Sequence, residues 1–237
     1  MPHDQSPATV IILCGVPAGT SATAFRTLAA EPRASGVPVT WVADRSDLVR
    51  LATEEADANW ALSLDTTSAI SRQELRQQLA TVRQSAGSVD TVVIHGNATL
   101  PPRDILLDGG IRTAVVDRFD DVPRGNRRPA PEGWACRSVL WGLWEVQAAS
   151  VPNQGIIERL LSWAAASHIQ PGSLLVIHAD AGTGCGVQET AKRLSGQLAW
   201  CTSVGRRCGV RMARAADLPA LLGSGDHARS GSVLRAA

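Results

Sequence analysis

Residues 9–42 read TVIILCGVPAGTSATAFRTLAAEPRASGVPVTWV, and their pattern decides the fold class. Thr9–Cys14 is a continuous run of β-branched and aliphatic side chains, closed by Gly15 and Pro17. A short apolar run without alternation predicts a strand covered on both faces, as strands of parallel sheets are. Thr20 and Ser21 offer the hydroxyl groups that cap a helix, predicted here through about Ala30. Val37–Val42 then resumes the strand pattern. Strand, helix and strand in succession form a βαβ unit, whose strands pair in parallel.

The same rhythm extends along the chain. Strand patterns recur at Trp60–Leu64, Thr91–His95, Arg112–Val116, Val139–Val146, Ser173–His178 and Val210–Ala213. Between them, Ser46 precedes a helix to about Glu55. Ser71 with Glu74 makes a capping box that opens a helix to about Ser85. Pro102 begins a short helix ended by Gly109-Gly110. Asn153 starts another, with Ile156, Ile157, Leu160, Leu161 and Ala164 on one face. Val187–Val204 and Ala215–Leu222 supply the last two.

Strands alternating with helices predict an α/β fold, a deformed (β/α) barrel of seven or eight mainly parallel strands. An open doubly wound sheet is the competing arrangement. Residues 1–223 are expected to form this single domain. The Gly/Ser/Arg-rich residues 224–237 are expected to be a disordered tail. Asp117–Cys136 breaks the rhythm with Pro123, Gly125, Arg127, Arg128, Pro129 and Pro131, and reads as a long polar loop near the barrel mouth.

Composition narrows the function classes. The chain has 237 residues, and a formal net charge of +1 gives no global field toward nucleic acid or anionic lipid. No apolar run approaches the ~20 residues needed to span a bilayer, and the first residues lack a signal peptide's basic and apolar regions. Cys14, Cys136, Cys185, Cys201 and Cys208 are scattered without C-x-x-C spacing, which fits free thiols in a reducing cytoplasm. The expectation is a cytoplasmic protein with neither nucleic-acid nor membrane partners. The sequence leaves the oligomeric state open.

Four stretches carry a family resemblance. Ile12–Thr40 has a strand, a glycine- and proline-bearing loop, a helix and the entry to a second strand. Asp47–Leu79 has a helix, a strand and the helix start Ser71-Arg72-Gln73-Glu74-Leu75-Arg76. Asp108–Val116 reads DGGIRTAVV and leads to Leu143-Trp144-Glu145-Val146. Gln170–Asp180 reads QPGSLLVIHAD. Taken in order they resemble the polysaccharide deacetylases, the NodB-like carbohydrate esterases of family 4. The resemblance spans roughly residues 9–222 and implies a deformed (β/α) barrel acting on acylated carbohydrate.

It also implies a divalent, zinc-type metal site, whose residues are missing here. Cys14 and Gly15 stand where the family has an Asp-Asp pair that serves as base and metal ligand. Leu64 and Ser68 stand where it has His-x-x-x-His. Near Ile94-His95-Gly96-Asn97 an arginine-bearing motif is replaced. A divalent ion needs at least three well-placed donors, so no metal or other cofactor is expected. Asp65 is expected to point away from such a site if the strand keeps its register.

One family position survives: His178 matches the general-acid histidine, with Asp180 beside it as a second catalytic candidate. Strand ends are expected to bring Asp44, Asp65, His95, Asp117, Glu145, His178 and Asp180 to one rim. Among these, His95, Asp65 and Glu145, with Trp144, are the substrate-binding candidates. Trp141 and Trp144, read as lying on one strand, face opposite sides of it.

Three readings stay open. The first is a non-hydrolytic, carbohydrate-binding or regulatory pseudoenzyme. The second is a divergent hydrolase of carbohydrate acyl bonds acting through His178, metal-independent or with a relocated metal. The third is a nucleotide-binding α/β protein, resting on Gly182-Thr183-Gly184-Cys185-Gly186, which lacks the full G-x-G-x-x-G spacing.

Overall fold

The computed structural model describes residues 7–67, 70–95, 101–116, 136–140, 142–150, 174–179, 186–208 and 210–223. Its first half alternates as the sequence pattern requires: β1 (Thr9–Gly15), α1 (Ala22–Ser35), β2 (Val39–Ala43), α2 (Arg45–Glu54), β3 (Asn59–Asp65), α3 (Arg72–Ala86), β4 (Thr91–His95), α4 (Arg103–Asp108) and β5 (Thr113–Val116). Three helix starts have a visible side-chain cap. Ser21 and Ser71 accept hydrogen bonds from the backbone N–H of Ala24 and Glu74, and Asp44 accepts one from Asp47, satisfying N–H groups that have no partner within the helix. α1 continues past the expected end near Ala30. It tolerates Pro32 in its last turns and stops at Gly36, whose φ of 66° closes the helix with N–H bonds back to Arg33 and Pro32.

The later strands are β6 (Cys136–Leu140), β7 (Leu143–Gln147), β8 (Ala149–Ser150), β9 (Leu174–Ala179) and β10 (Arg211–Ala213). Helix α5 covers Val187–Cys208, and a 3-10 turn at Ala215–Asp217 leads into α6 (Leu218–Gly223). The expected single strand Val139–Val146 is instead a hairpin, with β6 antiparallel to β7. The chain reverses at Gly142, whose φ of 95° favours glycine and where a Cβ would lie 2.9 Å from the Arg112 guanidinium. Trp144 lies in β7, while its expected strand companion Trp141 falls outside the described residues. Trp134, Trp141, the helix expected from Asn153, residues 181–185 of the glycine loop, Asp117 to 135 and the tail lie outside the described residues.

The sheet order is β6-β7-β5-β4-β3-β2-β1-β9-β8, with β10 beside β1. Ala148 alone separates β7 from β8. One run of chain thus pairs in parallel with β5 through Trp144–Gln147 and with β9 through Ala149–Ser150. Counting β7 and β8 as one strand, the parallel sheet nearly closes into a seven-stranded barrel, which excludes the open doubly wound arrangement.

Side-chain alternation splits the core in two. Ile11, Leu13, Val42, Ala61, Val93, Val115, Val146, Ala148 and Val176 fill the barrel interior, joined by Ala213, Ala215 and Leu218 from the C-terminal elements. Their neighbours Ile12, Cys14, Trp41, Leu62, Leu64, Ile94, Ala114 and Ile177 point outward, under Phe25, Leu28, Leu48, Leu75 and Leu194 of the helices. The N-terminal end of the barrel is tied shut. The Ala215 N–H donates to Thr40 Oγ1, and the Thr113 hydroxyl donates to the Ala215 carbonyl. The C-terminal ends of the strands form the opposite end, the mouth.

Candidate functional site

Three strand ends bring polar side chains to this mouth. Asp65 is the last residue of β3, His95 the last of β4, and His178 lies two residues past Val176 in β9. Each shares its strand's interior-facing parity, with Ala61, Val93 and Val176 respectively. The strands β4 and β9 are not neighbours in the sheet, yet the two imidazole rings stack with centroids 5.4 Å apart and planes 26° apart. His178 is 8% exposed, whereas Asp65 is exposed at the rim.

Thr66 holds this geometry. Its backbone N–H and its hydroxyl both donate to the His95 carbonyl, at 2.7 and 2.9 Å, fastening the end of β3 to the end of β4. The next residue, Thr67, donates its backbone N–H to Asp65 Oδ1 at 2.8 Å. That bond, the Thr67 hydroxyl and the nearby His95 hold the Asp65 carboxyl below the usual carboxylate range. Asp65 therefore stands ionised beside His95. The expectation that it points away from the mouth is corrected: Leu64 is the residue that turns outward, and Asp65 follows Ala61 and Ser63 inward.

A second device steadies the β1–α1 loop beside the mouth. Asp47, in the first turn of α2 and 6% exposed, accepts the Gly19 N–H at 2.7 Å. Arg50 bridges the Asp47 carboxylate and the Thr20 carbonyl, both at 2.5 Å. Thr66 and Asp47 were both missed in reading the sequence. His95 lies 29 residues from Thr66 and Gly19 lies 28 from Asp47, and no local pattern signals them.

The remaining rim candidates fall elsewhere. Glu145 lies on the outer face of β7, because Val146 faces inward. Its buried carboxylate accepts from Arg103 Nε of α4 at 2.7 Å. Trp144 shares the interior-facing parity of Val146, but it pairs with Thr113 at the start of β5, so it belongs to the opposite end of the barrel from the histidines. Asp44 is spent as the cap of α2 and also accepts from Ser46. The expected single rim is thus reduced, among the described residues, to Asp65, His95 and His178. Asp180 and Asp117 lie outside those residues.

The same alternation tests the metal expectation. Cys14 is fully buried with its side chain in the outer, helix-covered layer, Gly15 has no side chain, and Leu64 is apolar and turned outward. None of the three aims a donor into the mouth. Among the described residues no group of three or more His, Cys, Asp or Glu side chains is placed to hold a metal ion.

The sequence matches no known family model, and no curated protein is detectably similar to it. Solved structures do match. A protein from Mycobacterium smegmatis assigned to the polysaccharide deacetylases superposes with a TM-score of 0.61 at 13% identity, over 94% of this chain and 92% of that one. The fold is that of the polysaccharide deacetylases. A carbohydrate esterase family 4 pseudoenzyme from Bacillus anthracis, in its wild-type form, superposes with a TM-score of 0.52 at 13% identity, over 92% of this chain and 66% of that one. The deacetylase fold is therefore shared with a protein described as lacking the family's activity. No helix among the described residues is long and apolar enough to cross a membrane.

Proposed function

We propose that this protein is a non-hydrolytic relative of the polysaccharide deacetylases that binds carbohydrate at the barrel mouth. The observation that carries this reading is the direction of Cys14 and Leu64. At these two of the positions that match the family's metal-binding motifs, the side chains turn into the helix-covered layer; Ser68 lies outside the described residues. What remains at the mouth is an ionised carboxylate beside two stacked imidazoles. Such a set exchanges hydrogen bonds with hydroxyl and acetamido groups, since carboxylate oxygens accept and an imidazole both donates and accepts. Among the described residues, no Ser, Cys or Lys side chain joins it as an oriented nucleophile of the kind covalent acyl transfer uses.

Titration calorimetry with an acetylated chito-oligosaccharide, paired with an acetate-release assay, tests the reading. Saturable binding that is lost on Asp65→Ala, with no acetate released, supports it. Heat-silent mixing across the millimolar range overturns the binding half, and turnover overturns the non-hydrolytic half.

The stacked pair itself favours one second reading. His178 acts as general acid or base toward an acylated sugar, with the stacked His95 holding its ring in place. In that case acetate release depends on His178, and a His178→Gln variant that still binds the oligosaccharide releases none.

A further inference from the structure

We propose that a cavity at the N-terminal end of the barrel, opposite the mouth, binds a compact organic anion, a carboxylate carried on a single apolar ring. The inference stands apart from the carbohydrate reading, because the cavity shares no residue with the mouth. Its volume is about 230 Å³. At roughly 30 Å³ per molecule of liquid water, that is room for about eight waters. It falls short of the ~300–1,000 Å³ of sites for drug-sized ligands. One substituted ring fits, and an oligosaccharide or a nucleotide does not.

Three separate stretches build the walls: the end of α1 with the loop to β2, the approach to β3 with its first residue, and Arg214 after β10. The apolar side is preformed. Pro32 and Pro38 fix their own backbone torsions. Trp41 is held by an edge-to-face contact with Phe25, ring centroids 5.0 Å apart. Walls that are already ordered lose little entropy on binding. The polar side is made of donors. Thr40 Oγ1 donates to Asn59 Oδ1 at 2.8 Å, which commits the amide oxygen and leaves the Nδ2 hydrogens for a ligand. Arg33 uses Nη2 on Glu55 at 2.7 Å and keeps its other N–H groups. Arg214 is exposed and makes no ion pair among the described residues. Asp57 is the one carboxylate on the wall among those residues, and it makes no ion pair with them either. Two guanidinium groups and an amide against one carboxylate favour an anion, and a guanidinium takes a carboxylate through paired N–H donors.

A heteronuclear NMR titration with benzoate, following the Asn59 side-chain amide and the Arg214 Nε–H, tests the site. Saturable shifts with a dissociation constant in the millimolar range are expected. Benzamide keeps the ring and loses the charge, so it should bind about fivefold more weakly, as should benzoate on Arg214→Gln followed at Asn59. Asp57→Asn removes the opposing charge and should tighten benzoate by a similar factor. His178→Gln should bind benzoate as the parent does, which separates this cavity from the mouth. Absent shifts, equal affinity for benzoate and benzamide, or binding that survives Arg214→Gln unchanged would overturn the proposal.

Discussion

Replacing Leu64 by histidine would place an imidazole at one of the positions that match the family's His-x-x-x-His motif, yet the structure sends that side chain away from the mouth. Leu64 is 1% exposed and packs in the outer cluster with Leu62 and Leu75. Removing a buried leucine forfeits roughly 1.5–3 kcal/mol of burial. An imidazole N–H left without a partner in that apolar layer costs about 1–3 kcal/mol more. Leu64→His is therefore expected to destabilise the fold by about 3–5 kcal/mol. For a chain of this size, with ~2–4 °C per kcal/mol, the melting temperature falls by about 6–20 °C. Asp65→His, at the exposed rim, loses the bond to the Thr67 N–H and the attraction of His95, a cost of about 0.5–1.5 kcal/mol. Urea unfolding of both variants, followed by circular dichroism, measures the difference directly. Should Leu64→His unfold within about 1 kcal/mol of the parent while Asp65→His is the damaging change, β3 is a residue out of register and the inward set is wrong.

Other consequences follow from particular contacts. Asp47→Ala removes the acceptor of the Gly19 N–H, so hydrogen exchange at Gly19 should accelerate about tenfold or more, a loss of about 1.4 kcal/mol of protection; unchanged exchange would show that the loop is held by something else. Glu55 binds Arg26 and Arg33 of α1 at 2.5 and 2.7 Å, and these bonds, Arg33 first, hold its carboxyl below the usual value. A depressed folded-state value means stability that is present above the unfolded carboxyl's value, near 4.5, and lost as pH falls through the folded one. Glu55→Gln should thus cost about 1 kcal/mol at pH 7 and nothing once both forms are acidified, as read by urea midpoints across pH. Cys14 is fully buried under the helices, so native alkylation mapped by mass spectrometry should leave it unmodified until the chain unfolds. Rapid native labelling would place its thiol at the surface instead.

Much of the barrel was legible because its strands are apolar runs and its helices start at capping residues. Ser21, Ser71 and Pro102 mark their helices as expected, and β1 to β5 lie where the runs placed them. The Val139–Val146 run misled, because a hairpin turn at Gly142 sits inside a stretch that reads as continuous strand. Closure was expected from the strand–helix alternation, but its route was not legible: the chain through Ala148 switches partners from β5 to β9, a choice made by curvature and not by residue type. At the mouth, His178 and His95 were recognisable as strand-end polar residues. Their stacking was not, since β4 and β9 meet only once the sheet has curled. Glu145 was misplaced, and Asp65 was expected at the rim but turned from the metal site, for one reason: facing is set by parity along the strand, and a one-residue error exchanges the inside for the outside.

Acetate release from an acetylated chito-oligosaccharide, measured with zinc supplied in excess, tests the central reading most directly. With Cys14 and Leu64 turned outward and Gly15 bare, the oligosaccharide is expected to keep its full set of acetyl groups over prolonged incubation. Stoichiometric loss of acetyl groups that is abolished by His178→Gln would contradict it, and would make the mouth a working hydrolytic site.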